Sequence, residues 1–445
     1  MKLISQTFLF FLVIFCLQNL SAQAANNEDN TKLLTLQKAQ EIALKNHPEI
    51  LSSENETKAA KEVIKRERSN YLPQITTNAV KAFAGENTRI AATAGINNPL
   101  VINRFSYGVS GSQLITDFGR TLNLISAAKF NYKAQEAQSL STKNKVLLEV
   151  TQAYYNVLRS KALLQVAEKT LKDRKLLLDQ IQALWEAKMK SDLDLSFAKQ
   201  NVDEANLLLL KADTELSNSQ AQLSEAMGFN KEQNFILDDK LEISAPSKNI
   251  DALQEDAKTY NPILISLKNE LQAAQNKYKA EVEAHLPTIV GLGYAGASPV
   301  RDDSRLESKY FTGGINISLP LFTGGRLSAN QQNAKFTVKA TEDKLNEKEN
   351  QVLRDIKIAW NDAQVSYQRI EVSKQLLKNS ANALDLTQAR YDLGLNSIVD
   401  LSEAQLIETQ AEITNANAKY EYLIKEAILD FTVGKKIKAL LSSNS

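Results

Sequence analysis

Phe311-Thr312-Gly313-Gly314-Ile315-Asn316-Ile317-Ser318-Leu319 alternates apolar residues or glycine with small polar ones, and Phe105-Ser106-Tyr107-Gly108-Val109-Ser110-Gly111-Ser112 repeats the pattern earlier in the chain. A period of two belongs to a β-strand with one apolar face. Partner segments fall at about 74–84 and 288–296, across loops 85–103 and 297–309. The reading is two hairpins, with strands at about 74–84 and 104–116, then 288–296 and 309–319. Strands of about ten residues, apolar on one face and small and polar on the other, have the length and pattern of transmembrane β-strands. A soluble hairpin packed on a helix shares that pattern. Twelve of the 15 glycines lie in the windows 85–119 and 291–325, which hold these hairpins.

Outward from the hairpins, the chain repeats itself. Ala43-Leu44-Lys45-Asn46-His47-Pro48 returns as Ala257-Lys258-Thr259-Tyr260-Asn261-Pro262, and Tyr71-Leu72-Pro73 as His285-Leu286-Pro287, both offset by 214. Beyond the hairpins the offset is 206: Gly119-Arg120 matches Gly325-Arg326, Trp185 matches Tyr391, and Ser191-Asp192-Leu193-Asp194-Leu195 matches Ser397-Ile398-Val399-Asp400-Leu401. Two constant offsets, separated by one loop difference, mark a duplicated unit. The organisation expected is a signal segment 1–24, a first repeat 25–240, a second repeat 241–431 and a tail 432–445, joined around Pro246.

The remainder reads as helix. Residues ~119–185 and ~326–391 lack internal glycine and proline, which predicts two helices of roughly 100 Å each. Shorter segments at ~37–71, ~193–227, ~250–285 and ~401–431 sum pairwise to the same length. Val150, Val157, Leu164, Leu171, Leu178 and Trp185 recur at sevens, as do Ile356, Ala363, Ile370, Leu377, Leu384 and Tyr391. A strict heptad predicts coiled-coil packing towards the turns. Lys143, Glu136 and Lys129 break it upstream, so packing there must differ.

Composition agrees. The 445 residues carry a net charge of +1, with 43% hydrophobic and 24% charged residues, so neither disorder nor nucleic-acid binding is favoured. Fifteen glycines and 8 prolines stand against roughly 31 and 22 for an average chain of this length. One cysteine and two histidines argue against disulfides and a metal centre. No nucleophile or phosphate-binding motif appears, so neither an enzyme nor a cofactor is expected. Met1-Lys2, the apolar run Phe8–Leu17 and Ser21-Ala22-Gln23-Ala24 read as a signal peptide cleaved after Ala24, taking Cys16 with it. The apolar run is too short for a spanning helix. Four strands cannot close a barrel, and lipid tolerates no open sheet edge, so several chains must share one barrel if these strands enter a membrane.

With Ala43 to Glu49, Leu72-Pro73-Gln74, Leu321-Phe322-Thr323-Gly324-Gly325-Arg326 and Tyr391-Asp392-Leu393-Gly394-Leu395-Asn396-Ser397-Ile398-Val399-Asp400-Leu401, the mature chain resembles the TolC-like outer-membrane efflux protein family. The resemblance implies a homotrimer whose long coiled-coil helices and hairpins form a twelve-stranded barrel continuous with a helical tunnel. It implies a passive exit duct in a Gram-negative outer membrane, in contact with lipid, opened by a periplasmic adaptor (membrane fusion) protein and an inner-membrane transporter. It also implies a belt made by the linker and termini. By the same resemblance, Tyr391, Asp400 and Glu403, with Asp194, narrow the periplasmic entrance, and Leu395-Asn396 lack the polar and basic pair with which some relatives latch it.

Acidic rings in a pore favour cations. Asp194 and Asp400 also suit helix capping, three residues after the N-cap candidates Ser191 and Ser397. Glu403 lies beyond the cap; it is a pore candidate or part of a solvated face. Gly394 suits a left-handed helix end, and Lys188 at the matching place predicts a looser first turn. His47 and His285 read as boundary residues, Trp185 and Trp360 as packing residues, and Arg301, Asp302, Asp303 and Arg305 as a solvated loop. Two rival readings are a structural coiled-coil protein of the cell envelope without channel activity and a periplasmic adaptor. The latter would carry more glycine and lack duplicated hairpins.

Overall fold

The computed structural model describes residues 33–83, 104–240, 243–247, 249–298 and 308–434. The expected signal segment, the loop charges Arg301 to Arg305 and the tail beyond Gly434 lie outside them. The element order is α1 (Leu36–Asn46), α2 (Pro48–Ser69), β1 (Gln74–Ala82), β2 (Arg104–Thr116), α3 (Arg120–Glu186), α4 (Asp192–Ala226), α5 (Ile250–Tyr260), α6 (Pro262–Glu283), β3 (Thr288–Ser298), β4 (Ser308–Ser318), α7 (Arg326–Asp392) and α8 (Ile398–Val433). Among the described residues, no helix is long and apolar enough to cross a membrane.

Helices α3 and α7 each run 67 residues, or about 100 Å at the α-helical rise, as the absence of glycine and proline predicts. The expected segments ~37–71 and ~250–285 are each broken once, before Pro48 and Pro262. Proline has no N–H to give and bars the preceding residue from helical geometry. His47 and Asn261 accordingly take extended backbone, at φ −68°, ψ 123° and φ −67°, ψ 119°. Both then cap the next helix. The His47 Nδ1 accepts from the Glu49 amide (3.3 Å), and the Asn261 Oδ1 accepts from the amides of Ile263 and Leu264 (3.0 and 3.3 Å). The last helix begins at Ile398, three residues before the expected ~401, because Ser397 caps it.

The chain divides into two compact units. In residues 52–142 and 255–354, the four strands make a single antiparallel sheet in the order β1-β2-β3-β4. The two hairpins join because β2 pairs with β3, from Tyr107↔Ala297 through Leu114↔Val290, with an irregularity before Thr116. Register gives the sheet two chemically distinct faces. One carries Ile75, Phe105, Tyr107, Val109, Phe311, Ile315 and Ile317, all exposed. The other carries Thr76, Asn78, Ser106, Ser110, Ser112, Thr312 and Asn316, with Val290, Leu292, Tyr294 and Tyr310 among them. Below the sheet, α2 and α6 pack on α3 through small residues. Ser53 Oγ meets Ser139 Oγ at 3.1 Å, and Ser266 Oγ donates to the Ala134 carbonyl at 2.9 Å. Here α3 buries Ile125, Ala127, Ala128, Ala134 and Ala137, which differs from the downstream heptad as expected.

The other unit comprises the described residues within 33–51, 143–254 and 355–434. One core gathers Ala39, Ala43 and Ile50 around Val146, Val150, Tyr154, Val157 and Leu158 of α3, with Leu223 and Tyr420. The linker is strapped across these helices. Leu34 and Leu237 form a parallel bridge, and the Tyr154 hydroxyl donates to the carbonyls of Leu34 and Asp238 (3.0 and 2.8 Å). Trp360 Nε1 donates to the Ser247 carbonyl at 2.7 Å. Trp360, expected as a packing residue, is thus half-buried and ties down the linker.

Of the predicted seven-residue lines, Val150, Val157, Leu171, Ile356, Ala363 and Tyr391 are buried, Leu164, Leu178, Ile370, Leu377 and Leu384 are half-buried, and Trp185 is exposed. A second buried line escaped the sequence reading because its residues are small. It consists of Ala153, Ser160 and Ala167 in α3, Ala198, Ala205, Ala212 and Ser219 in α4, and Ala359, Ser366, Ser373 and Ser380 in α7. Small residues at every seventh place let helix axes approach closely. Ser160 is fully buried and its hydroxyl has no partner among the described residues. Ser160→Ala, which removes an unpaired polar group, is expected to stabilise by ~1 kcal/mol. Ser160→Leu, which overpacks the seam, is expected to destabilise by about 1–3 kcal/mol. Denaturant unfolding followed by circular dichroism reads both, and a loss of stability in Ser160→Ala would contradict the assignment.

Candidate functional site

Two helical hairpin turns, α3 to α4 and α7 to α8, carry every residue the sequence singled out for the entrance. Their first halves are built alike. The Lys188 amide donates to the Trp185 carbonyl and the Met189 amide to that of Leu184, both at 2.8 Å. In the second turn Gly394 donates to Tyr391 (3.0 Å) and Leu395 to Arg390 (2.8 Å). This bond pattern ends a helix through one left-handed residue. Gly394 supplies it at φ 74° and Lys188 at φ 60°. The first turn is therefore as tight as the second, contrary to the expectation from Lys188. The hydrogen bonds closing the helix dictate the backbone, and the lysine bears the steric cost.

Each turn ends in a capping box. The Asp194 Oδ2 accepts from the Ser191 amide and hydroxyl (3.0 and 2.7 Å), while the Ser191 Oγ accepts from the Asp194 amide (3.2 Å). Ser397 and Asp400 repeat the arrangement at 2.9, 2.8 and 3.2 Å. Both aspartates thus offset the exposed amides at a helix start. The remaining oxygen of Asp194 has a second task. Tyr391, at the end of α7, donates its hydroxyl to Asp194 Oδ1 at 3.3 Å. The Lys190 ammonium lies 3.7 Å from the centre of the Tyr391 ring, within cation–π range. Leu177 and Ile181 of α3, Leu195 and Ala198 of α4, and Ile398 and Leu401 of α8 enclose the tyrosine.

The electrostatics follow from these contacts. Burial pulls the Asp194 carboxyl upward, but bonds from Ser191, the Lys190 charge and the Tyr391 hydroxyl outweigh it and leave the group below its ordinary value of 3.8. Burial, then the Asp194 carboxylate, pushes the Tyr391 phenol well up, so it stays protonated and donates. Asp400 is lowered by the backbone and hydroxyl bonds from Ser397, with help from the Arg390 charge.

The structure brings Asp194, Tyr391 and Ser191 together. Glu403 is exposed on α8, and among the described residues it has no hydrogen-bond or ion-pair partner. Trp185, expected to pack, is exposed, and its indole donates to Asp192 Oδ1 at 2.8 Å across the first turn. Lys190 was missed by the sequence reading, since a lysine in a polar turn carries no positional signal. Asp117 was missed likewise. Buried between β2 and α3, it accepts from the amides of Gly119 and Thr121 (3.3 and 2.8 Å), so the sheet passes into the long helix through a capped turn. Thr323 takes the matching place before α7, where its Oγ1 accepts from the Leu327 amide at 3.4 Å.

This arrangement of a small amphipathic sheet, paired 67-residue helices and acidic-capped turns defines a class of membrane-anchored helical conduits. The outer membrane efflux protein family model matches residues 39–229 and 253–435. The chain belongs to that family. It is 27% identical over 402 residues to the outer membrane protein TolC of Vibrio cholerae, covering 88% of this chain and 89% of that protein. The Campylobacter jejuni CmeC outer membrane channel superposes with a TM-score of 0.78 at 18% identity, covering 94% and 93% of the two chains. A membrane protein from Pseudomonas aeruginosa superposes at 0.77 with 20% identity, covering 90% and 93%.

Two outcomes test this geometry. Lys188→Gly is expected to stabilise by about 1 kcal/mol, the cost of one left-handed side chain, as an upward shift in the denaturation midpoint; a downward shift would contradict it. Acid is the second lever. Both carboxyls are depressed in the folded state, so their contribution is present above the ordinary aspartate value and is lost as pH falls through the folded one. Hydrogen-exchange protection of the Asp194 and Asp400 amides should hold between pH 7 and 5 and fall only below ~4. Loss of protection already near pH 6 would show that other groups hold the turns.

Proposed function

We propose that this chain is the outer-membrane exit duct of a tripartite efflux or type I secretion system in a Gram-negative bacterium. The observation that carries the reading is the four-stranded sheet. It has one exposed, mainly apolar face, one face where small polar residues of β1, β2 and β4 stand beside Val290, Leu292, Tyr294 and Tyr310, and two unpaired outer edges among the described residues. Apolar outward and polar inward is the dyad pattern of a barrel wall. Relatives include the alkaline protease secretion protein AprF of Pseudomonas aeruginosa, 24% identical over 176 residues, and the outer membrane efflux protein BepC of Brucella suis, 21% identical over 422. The chain is a passive conduit working with a periplasmic adaptor and an energised inner-membrane transporter.

Three copies would close the sheet edges and supply twelve strands, the polar faces lining the lumen and the apolar faces meeting lipid. A mature chain starting after Ala24, with repeats 25–240 and 241–431, would present its hairpin turns at the periplasmic end. There Tyr391, Asp194 and Lys190 would pin one helical hairpin to the other, keeping the entrance narrow. Asp400 and Glu403 would face the pore as an acidic ring that favours cations. Capping and pore lining are compatible for Asp400, since the cap uses one carboxylate oxygen.

In planar bilayers the purified protein should form cation-preferring channels, and the absence of any channel event at every voltage would defeat the duct reading. Asp400→Asn with Glu403→Gln, which keeps the capping acceptor while removing both charges, should lower the cation preference. Unchanged ion selectivity would remove these residues from the pore.

A further inference from the structure

We infer that Tyr310 is kept out of the bore near the barrel's exit, held flat against the wall in a slot formed by Gly108 and Gly296. The inference rests on the reading of the polar sheet face as the channel lining. Asn78, Gly108, Gly296 and Tyr310 are consecutive partners across β1, β2, β3 and β4, so all four share the polar face. Their row lies near the strand ends remote from the helices.

A methyl group at Gly108 would sit 2.8 Å from the Tyr310 hydroxyl oxygen, and one at Gly296 would sit 2.6 Å from it. The hydroxyl therefore occupies the space that two side chains would fill. Strands stand about 4.8 Å apart, so the ring starts on β4, crosses β3 and ends beside β2. Strand side chains ordinarily stand roughly perpendicular to the sheet; this one lies along it. Neither glycine adopts positive φ, so their backbone conformation does not call for glycine. What the site requires is the missing Cβ, both for the hydroxyl and for the approach of the Ala295 carbonyl to Gly108, where a methyl group would meet that oxygen at 2.7 Å. Glycine weakens a strand interior unless something approaches closely, and an aromatic ring laid over such glycines recovers packing. The slot thus keeps a large side chain out of the solute path while presenting its face to whatever leaves.

Single-channel conductance of the full chain tests this. Tyr310→Ala alone should leave conductance unchanged, because a ring flush with the wall occludes little; a clear rise would overturn the inference. Gly108→Ala should lower conductance, and adding Tyr310→Ala should recover the part of the loss that the displaced ring causes, the clash with the Ala295 carbonyl at 2.7 Å accounting for the remainder. An equal drop with and without the ring would assign the whole effect to backbone distortion and overturn the slot. If Gly108→Ala does not assemble, Tyr310→Ala decides alone. The underlying reading has its own check. Thr312→Cys in a Cys16→Ala background, tagged with a charged thiol reagent, should reduce the current of open channels. No reduction there would show that the polar face does not line the pore, whatever Tyr310 does.

Discussion

Backbone hydrogen bonding at the sheet edges is the constraint on which the remaining architecture depends. In hydrocarbon every unpaired N–H and C=O costs several kcal/mol, and a four-stranded sheet leaves a full row of them on β1 and another on β4. Among the described residues nothing in one chain removes both rows, because β2 and β4 each run into a 67-residue helix that contributes no further strand. On the proposed reading of the sheet as a barrel wall, closure would come from other copies. Duplication is an economical answer, since two similar hairpins pair with each other through β2 and β3 and leave edges that match those of an identical chain.

The long helices are likewise a response to packing rather than to propensity. Their heptad lines mix large residues such as Val150 and Val157 with lines of alanine and serine such as Ala153, Ser160 and Ala167. Large residues supply buried apolar area, and small ones set how near the axes come. Ion pairs add direction between helices. Arg369 of α7 reaches Glu421 of α8 at 2.9 Å, and Lys169 of α3 bonds Glu412 of the same helix. Such exposed pairs contribute little stability but fix which helix neighbours which.

At the turns, one carboxylate serves two ends. Asp194 caps α4 with one oxygen and receives Tyr391 with the other, so local helix stability and the tie between hairpins share a single group. Lys190 of the first turn stacks on the Tyr391 ring, while in the second turn Arg390 Nε donates to Asn396 Oδ1 at 3.0 Å. The tie thus combines a hydrogen bond, a cation–π contact and an enclosed ring.

Much of this was legible in the residue order, for a physical reason. Periods of two and seven, prolines at 48 and 262, and serines three places before aspartates act between neighbours a few residues apart, so they leave a local signature. Strand and cap positions followed within a few residues, whereas the segments 37–71 and 250–285, read as unbroken, are each split at Pro48 or Pro262. Even so, local reading erred at Lys188, where the helix-closing bonds overrode the preference for glycine, and at Trp185 and Trp360, whose indoles hold a turn and a linker. The pairing of β2 with β3, the meeting of Tyr391 with Asp194 across 197 residues of chain, and the nesting of Tyr310 over Gly108 and Gly296 belong to the tertiary structure alone. Contacts at such separations impose no periodicity on the sequence, so only the folded backbone, by setting register and proximity, could decide them.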